Sequence, residues 1–193
     1  MGKFDFKRFN GFARKRLDDK LYSDLWNHDI FNERDMHSSA YFYIRDYFRK
    51  HNRGAVYVRC ESRLAGAQPD IVVYERGKPI YVLEFKFFSK PNSIDEGKVY
   101  DDLDKLAKCI KSYSSVRWGF FHMIYDGDDS FHISGPQLRR DGYSRISVTS
   151  INARRKEVTR RRRAGYDEWR MLFDKLQHLH RGYARARRRS NGA

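Results

Sequence analysis

The sequence predicts an α/β fold, a central mixed β-sheet flanked by helices, with a basic helical C-terminal extension. Three observations lead there. Two apolar runs, residues 70–74 and 79–88, are separated by Glu75-Arg76-Gly77-Lys78-Pro79 and read as a strand hairpin whose Gly77 is free to take positive φ. An amphipathic stretch at 98–113 and another apolar run at 116–125 follow, a strand–helix–strand step long enough for a parallel crossover. Finally, charge is unevenly placed: of 40 Lys+Arg and 25 Asp+Glu (net +15), residues 137–193 hold 17 basic and 5 acidic, so +12 of the excess lies in the last third. A chain of 193 residues suffices for one sizeable core. The expected organisation is therefore a basic and aromatic N-terminal segment at 1–30, a core at 31–151, and an Arg-rich helical extension and tail at 152–193.

Taken in order, residues 1–30 mix Phe4, Phe6, Phe9 and Phe12 with Arg14-Lys15-Arg16, and Leu17 to Trp26 suits a short helix. The phenylalanines either pack on the core or rest on nucleic acid, packing being the commoner fate. A helix is expected over 33–50, since Met36, Ala40, Ile44, Tyr47 and Phe48 fall on one stripe, and Asn52-Arg53-Gly54 stops it. A strand over 55–61 places Val56, Val58 and Cys60 on one face. The loop containing Arg63-Leu64-Ala65-Gly66 is small enough to let a phosphate backbone approach, and Pro91 breaks the chain after the hairpin. In the 98–113 helix Val99, Leu103, Leu106, Ala107 and Ile110 share one side. Asp126-Gly127-Asp128-Asp129 reads as a hairpin turn, and 131–134 and 143–151 as edge strands. Beyond residue 152 come basic clusters, then Tyr166, Trp169, Leu172, Phe173, Leu176 and Leu179 at helical spacing, a face expected to dock on the body or on a second subunit.

The chemistry is concentrated in the hairpin. Asp70 opens the first apolar run, and Glu84-Phe85-Lys86 lies inside the second. Burying an unpaired carboxylate costs several kcal/mol. With Gly77 at the centre, residues equally far from it face one another, so Asp70 opposes Glu84 and Gln68 opposes Lys86. Side chains two apart share a face, which gathers Asp70, Glu84, Lys86 and Gln68 into one patch. Two carboxylates on opposed Cβ atoms roughly 4.5–5.5 Å apart repel unless a cation lies between them. Mg²⁺, with about six oxygen ligands of which one or two are carboxylates, suits such a pair.

Pro69-Asp70 followed by Glu84-x-Lys86 on the next strand resembles the PD-(D/E)xK nuclease superfamily, over roughly residues 30–125. The resemblance implies a restriction-endonuclease-like core and hydrolysis of phosphodiester bonds in DNA, dependent on Mg²⁺ or Mn²⁺. It implies that Asp70, Glu84 and the backbone carbonyl of Phe85 hold the ion, while Lys86 positions the attacking water. Glu61, at the end of the preceding strand, and Glu33, at the start of the first long helix, match further acidic positions of the family, and one or the other would help to hold a second ion or a metal-bound water. Glu33 reads equally well as a first-turn acid favoured by the helix dipole. Many members work as dimers, a use that the apolar final helix could serve.

A polyanionic partner follows from the charge itself. Arg154, Arg155, Lys156, Arg160, Arg161, Arg162, Arg163, Arg185, Arg187, Arg188 and Arg189 are the candidate nucleic-acid contacts, suited to phosphate and giving salt-dependent affinity rather than sequence choice. Charge does not separate DNA from RNA. Two rival readings stand beside the nuclease: a nucleic-acid-binding protein that keeps the fold without catalysis, and a structural RNA-binding protein that ignores Asp70 and Glu84. His37, His122, His178 and His180 read as packed or surface residues. Cys60 and Cys109, without zinc-type spacing, read as buried thiols of a reducing, cytoplasmic compartment. No apolar stretch approaches the ~18–20 residues that cross a bilayer, and the start lacks the apolar region of a signal peptide. A phage, mobile element or prokaryotic defence or repair system would suit a small basic nuclease.

Overall fold

A computed structural model describes residues 4–27, 29–51, 56–88, 94–127, 131, 133, 138–139 and 142–153, all within one compact unit, Met1–Arg154. The expected contacts from Arg154 onward lie outside the described residues. Five strands form one mixed sheet in chain order: β1 (Val56–Cys60), β2 (Ile71–Glu75), β3 (Lys78–Phe88), β4 (Trp118–Tyr125) and β5 (Ile146–Asn152). The pairs β1–β2 and β2–β3 are antiparallel, whereas β3–β4 and β4–β5 are parallel. The expected crossover is present, with α4 (Glu96–Ser112) linking β3 to β4. The mixed sheet between helices agrees with the predicted α/β class.

Helix starts follow local chemistry. Asp5 caps α1 (Phe6–Gly11) by accepting from the Arg8 N–H at 2.9 Å, and Asp95 caps α4 through Lys98 N–H at 3.3 Å. At α3 (Glu33–His51) the exchange is reciprocal: Asn32 Oδ1 accepts from Asp35 N–H at 3.0 Å, and Asp35 Oδ2 accepts from Phe31 N–H at 3.0 Å. A π-helical turn, Phe12–Arg16, joins α1 to α2 (Leu17–Trp26).

Each face of the sheet has its own core. Against one face, Phe4, Phe9, Phe12, Tyr47 and Phe48 from the N-terminal segment and α3 pack on Tyr81 and Phe120. The N-terminal phenylalanines thus take the packing alternative: Phe4, Phe9 and Phe12 are buried, and half-buried Phe6 sets its ring against Phe4 and Tyr81. Against the other face, α4 lays Val99, Leu103, Leu106, Cys109 and Ile110 over Val72, Val82, Phe121 and Met123.

The β2–β3 turn is tighter than the five-residue loop read from sequence. Arg76 (φ 50°) and Gly77 (φ 78°) form a two-residue connection, with Glu75 opposite Lys78 and Tyr74 opposite Pro79. Beyond it the register shifts, Ile80 being the extra residue, so that Val73 faces Tyr81, Val72 faces Val82 and Ile71 faces Leu83. One further step sets Asp70 against Glu84, as the sequence indicated, through a different loop.

Three local expectations fail. Because β5 runs parallel to β4, the chain after Tyr125 is not a hairpin between these neighbours. Phe131 and Ile133 carry no strand structure, whereas the expected edge strand at 143–151 is present as β5, over 146–152. Cys60 is exposed rather than buried, because it ends an edge strand with a neighbour on one side only; Cys109 is buried as expected. Among the described residues no helix is long and apolar enough to cross a membrane.

Phe9, fully buried, stacks on Phe48 with centroids 4.9 Å apart and lies 4.7 Å from Tyr81. Phe9→Ala is expected to cost about 3–5 kcal/mol in unfolding free energy by urea titration, as for other large-to-small core changes.

Candidate active site

The sheet presents Asp70 at the entrance to β2 and Glu84 and Lys86 on β3, while α3 supplies Glu33 and His37 and α4 supplies Asp102 and Lys105. Glu84 is only 1% exposed, because α4 covers its face of the sheet. Its Oε2 accepts from Lys105 Nζ at 3.0 Å, whereas its buried Oε1 has no hydrogen-bond partner among the described residues. Asp70 Oδ2 accepts from the Phe85 N–H at 2.8 Å and lies 3.1 Å from His37 Nε2, too far off line for a hydrogen bond.

The two ammonium groups are threaded between the acids. Lys86 Nζ lies 3.4 Å from Glu33 and 3.2 Å from Asp102 Oδ2. Lys105 Nζ reaches Asp102 Oδ1 at 2.9 Å as well as Glu84. Glu33 also accepts from the Phe87 N–H at 3.3 Å, which ties the first turn of α3 to the end of β3. Asp102, 6% exposed, thus holds both lysines, one on each oxygen.

The electrostatics follow from this crowding. Burial, then the neighbouring Asp70 charge, pushes Glu84 up to about 9 against the pull of Lys105. Asp70 moves the opposite way: burial opposes ionisation, but His37, the Phe85 N–H and the neighbouring Glu84 together lower its pKa. Near neutral pH Glu84 therefore keeps its proton, while Asp70 is ionised. Burial pulls His37 down, and Asp70, Glu33 and the Phe85 carbonyl more than reverse it. Lys86 and Lys105 are likewise raised: burial opposes the charge, and the surrounding carboxylates outweigh burial.

Of the residues expected from sequence, Asp70, Glu84, Lys86 and Glu33 are brought together. Glu61 is not. Its residue has φ 50°, its side chain is exposed, and among the described residues only its backbone N–H reaches the site, bonding the Asp70 carbonyl at 2.9 Å. Gln68 is exposed too. Asp102 and Lys105 were missed. The available signal was an acid on the apolar stripe of the 98–113 helix, since Asp102, Leu106 and Cys109 recur at helical spacing and all are buried. His37 follows Glu33 by one turn, and that spacing does bring it to Asp70.

Whether a divalent cation fits can be judged from the donors. Among the described residues no group of three or more His, Cys, Asp or Glu side chains is gathered closely enough to hold a metal ion. Two opposed carboxyls remain, one with an unpartnered buried oxygen and a proton that a cation would replace. Such a pair suits Mg²⁺, which commonly takes one or two carboxylates and completes its shell with water and substrate phosphate. No family model matches the chain, and no curated protein matches it.

Because folded Glu84 keeps its proton to about pH 9 and the unfolded residue releases it near 4.5, the native state binds the extra proton across that window. Stability of the metal-free protein should therefore fall as pH rises between these values, with a slope on the order of 1.4 kcal/mol per pH unit from this group. Glu84→Gln keeps an acceptor for Lys105 and removes the titration. Its stability should fall less steeply than wild type in denaturant titrations at pH 5.5, 7 and 8.5 with chelator present.

Proposed function

We propose that this protein is a divalent-metal-dependent endonuclease hydrolysing phosphodiester bonds in DNA. The observation that carries this reading is half-buried Asp70 opposed to buried Glu84 on adjacent strands, with one Glu84 oxygen unpartnered among the described residues and Lys86 two residues on along the same strand. Asp70 and Glu84, with the Phe85 carbonyl, are the residues to hold Mg²⁺ or Mn²⁺. When bound, such an ion would polarise the scissile phosphate and lower the pKa of the attacking water.

The chain's own groups have distinct tasks. The Phe85 N–H fixes the orientation of Asp70, and His37 adds positive charge beside it. Lys86 is held charged by Asp102 and Glu33, so it serves as a donor that orients water and stabilises charge on the phosphate, and not as a proton acceptor. The Arg-rich C-terminal third, +12 over residues 137–193, is assigned to flanking phosphates. Cutting both strands of a duplex with one such site per chain would call for two chains.

One observation favours a second reading, nucleic-acid binding without hydrolysis: Lys105 already occupies Glu84, and no third donor joins the pair among the described residues.

Supercoiled plasmid separates the two. Wild type should nick or linearise it with Mg²⁺ or Mn²⁺ and not with EDTA. Lys86→Ala should lower the rate at least about a hundredfold, with DNA affinity in a filter-binding assay nearly unchanged. Asp70→Asn should abolish cutting. Tight, salt-sensitive binding without cleavage of duplex, single-stranded, branched or RNA substrates would establish the second reading instead.

A further inference from the structure

Lys105 has no part in the chemistry assigned above, yet it makes the closest charged contact to the most buried acid. Its Nζ stands 3.0 Å from Glu84 Oε2 and 2.9 Å from Asp102 Oδ1, while Asp102 gives its other oxygen to Lys86 at 3.2 Å. Asp102 and Lys105 are three residues apart on α4, so a helix neighbour steers the ammonium toward β3. The other end of the contact is Glu84, on a strand.

From this geometry we propose that Lys105 is the resident counter-ion of the carboxyl pair, and that a divalent cation takes Glu84 from it. The inference rests on the metal-dependent reading and goes beyond it. Even with a proton held on Glu84, four carboxyl groups in one half-buried cluster need internal positive charge, because an uncompensated buried acid strongly destabilises a fold. Lys86 cannot supply it to the Asp70–Glu84 pair, being engaged by Asp102 and Glu33. Lys105 can, and its position also lets it leave. Its side chain is 31% exposed, its stem is flexible, and Asp102 remains as an anchor when Glu84 is surrendered. The exchange costs Lys105 one contact, not two, and releases the Glu84 proton to solvent. The freed ammonium, still tethered beside the pair, is placed to take an oxygen of the phosphodiester that the site is proposed to cut. Lys105 in this view is a positioning residue that sets metal affinity and links metal loading to substrate binding.

The test uses full-length protein and Mn²⁺ in calorimetric titration at pH 7.5. Lys105→Met removes the competing charge at similar length and should bind Mn²⁺ about tenfold more tightly than wild type, the equivalent of one charge-assisted hydrogen bond. Lys105→Arg keeps the charge and should stay near wild type. Without metal, Lys105→Met should melt at lower temperature, and Mn²⁺ should raise its melting temperature more than that of wild type. Unchanged or weaker Mn²⁺ binding by a folded Lys105→Met protein overturns the counter-ion role alone. No Mn²⁺ binding by either protein overturns it together with the metal-dependent reading. Should Lys105→Met fail to fold, the ammonium resonance of Lys105 in wild type, assigned through Lys105→Arg, provides the measurement. A shift on saturation with Mg²⁺ supports the exchange, and an unmoved resonance overturns it.

Discussion

Two carboxyl groups set face to face between buried strands are the constraint around which the rest of the molecule is arranged. Asp70 and Glu84 cannot both be charged at this depth without compensation. The structure offers three kinds: a proton retained by Glu84, backbone N–H donation to Asp70, and a ring of cationic side chains from three different elements. Three elements contribute a member of that ring or its tether. α3 gives His37 and Glu33, β3 gives Lys86, and α4 gives Lys105 and Asp102. Charge compensation and tertiary packing are therefore one problem here, since displacing α4 would both open a core and strip Glu84 of its nearest cation.

The two sheet faces divide the labour. Rings of the N-terminal segment and α3 interlock on Tyr81 and Phe120, a contact set rich in large, rigid side chains. Aliphatic residues of α4 cover the other face, and the charged cluster sits at the margin of that layer. Aromatic rings pack one side of β3, while Glu84 and Lys86 on its other side face α4. That arrangement suits a site whose charges are proposed to rearrange when a cation enters.

Much of this was legible in the chain because it depends on short-range periodicity. The stripe Met36, Ala40, Ile44, Tyr47, Phe48 marks α3 almost to its ends, and the buried side of α4 follows from Val99, Leu103, Leu106 and Ile110. The opposition of Asp70 and Glu84 was legible too, since apolar runs on either side of a glycine turn constrain which residues meet. What escaped depends on how distant elements dock. Asp102 and Lys105 look like an ordinary i, i+3 surface pair until α4 is laid on β3. Glu61 has the right chain position, but a left-handed backbone turns it away. Cys60 alternates correctly with Val56 and Val58, yet no periodicity reveals that its strand lies at the edge and ends there.

The extra residue at Ile80 lies well before the acidic cluster, and its effect is one of parity. A two-residue turn at Arg76-Gly77, left to itself, would bring Leu83 opposite Asp70 and point Glu84 and Lys86 into the aromatic layer. The single added residue reverses the odd–even assignment of everything downstream in β3. Natural variation in this hairpin should therefore come in even steps: two residues gained or lost leave the same side chains on the same face, whereas one alone exchanges an acidic pocket for an apolar surface. The chemical identity of the site is thus written partly in the length of the chain around its turn, and not only in the residues that form it.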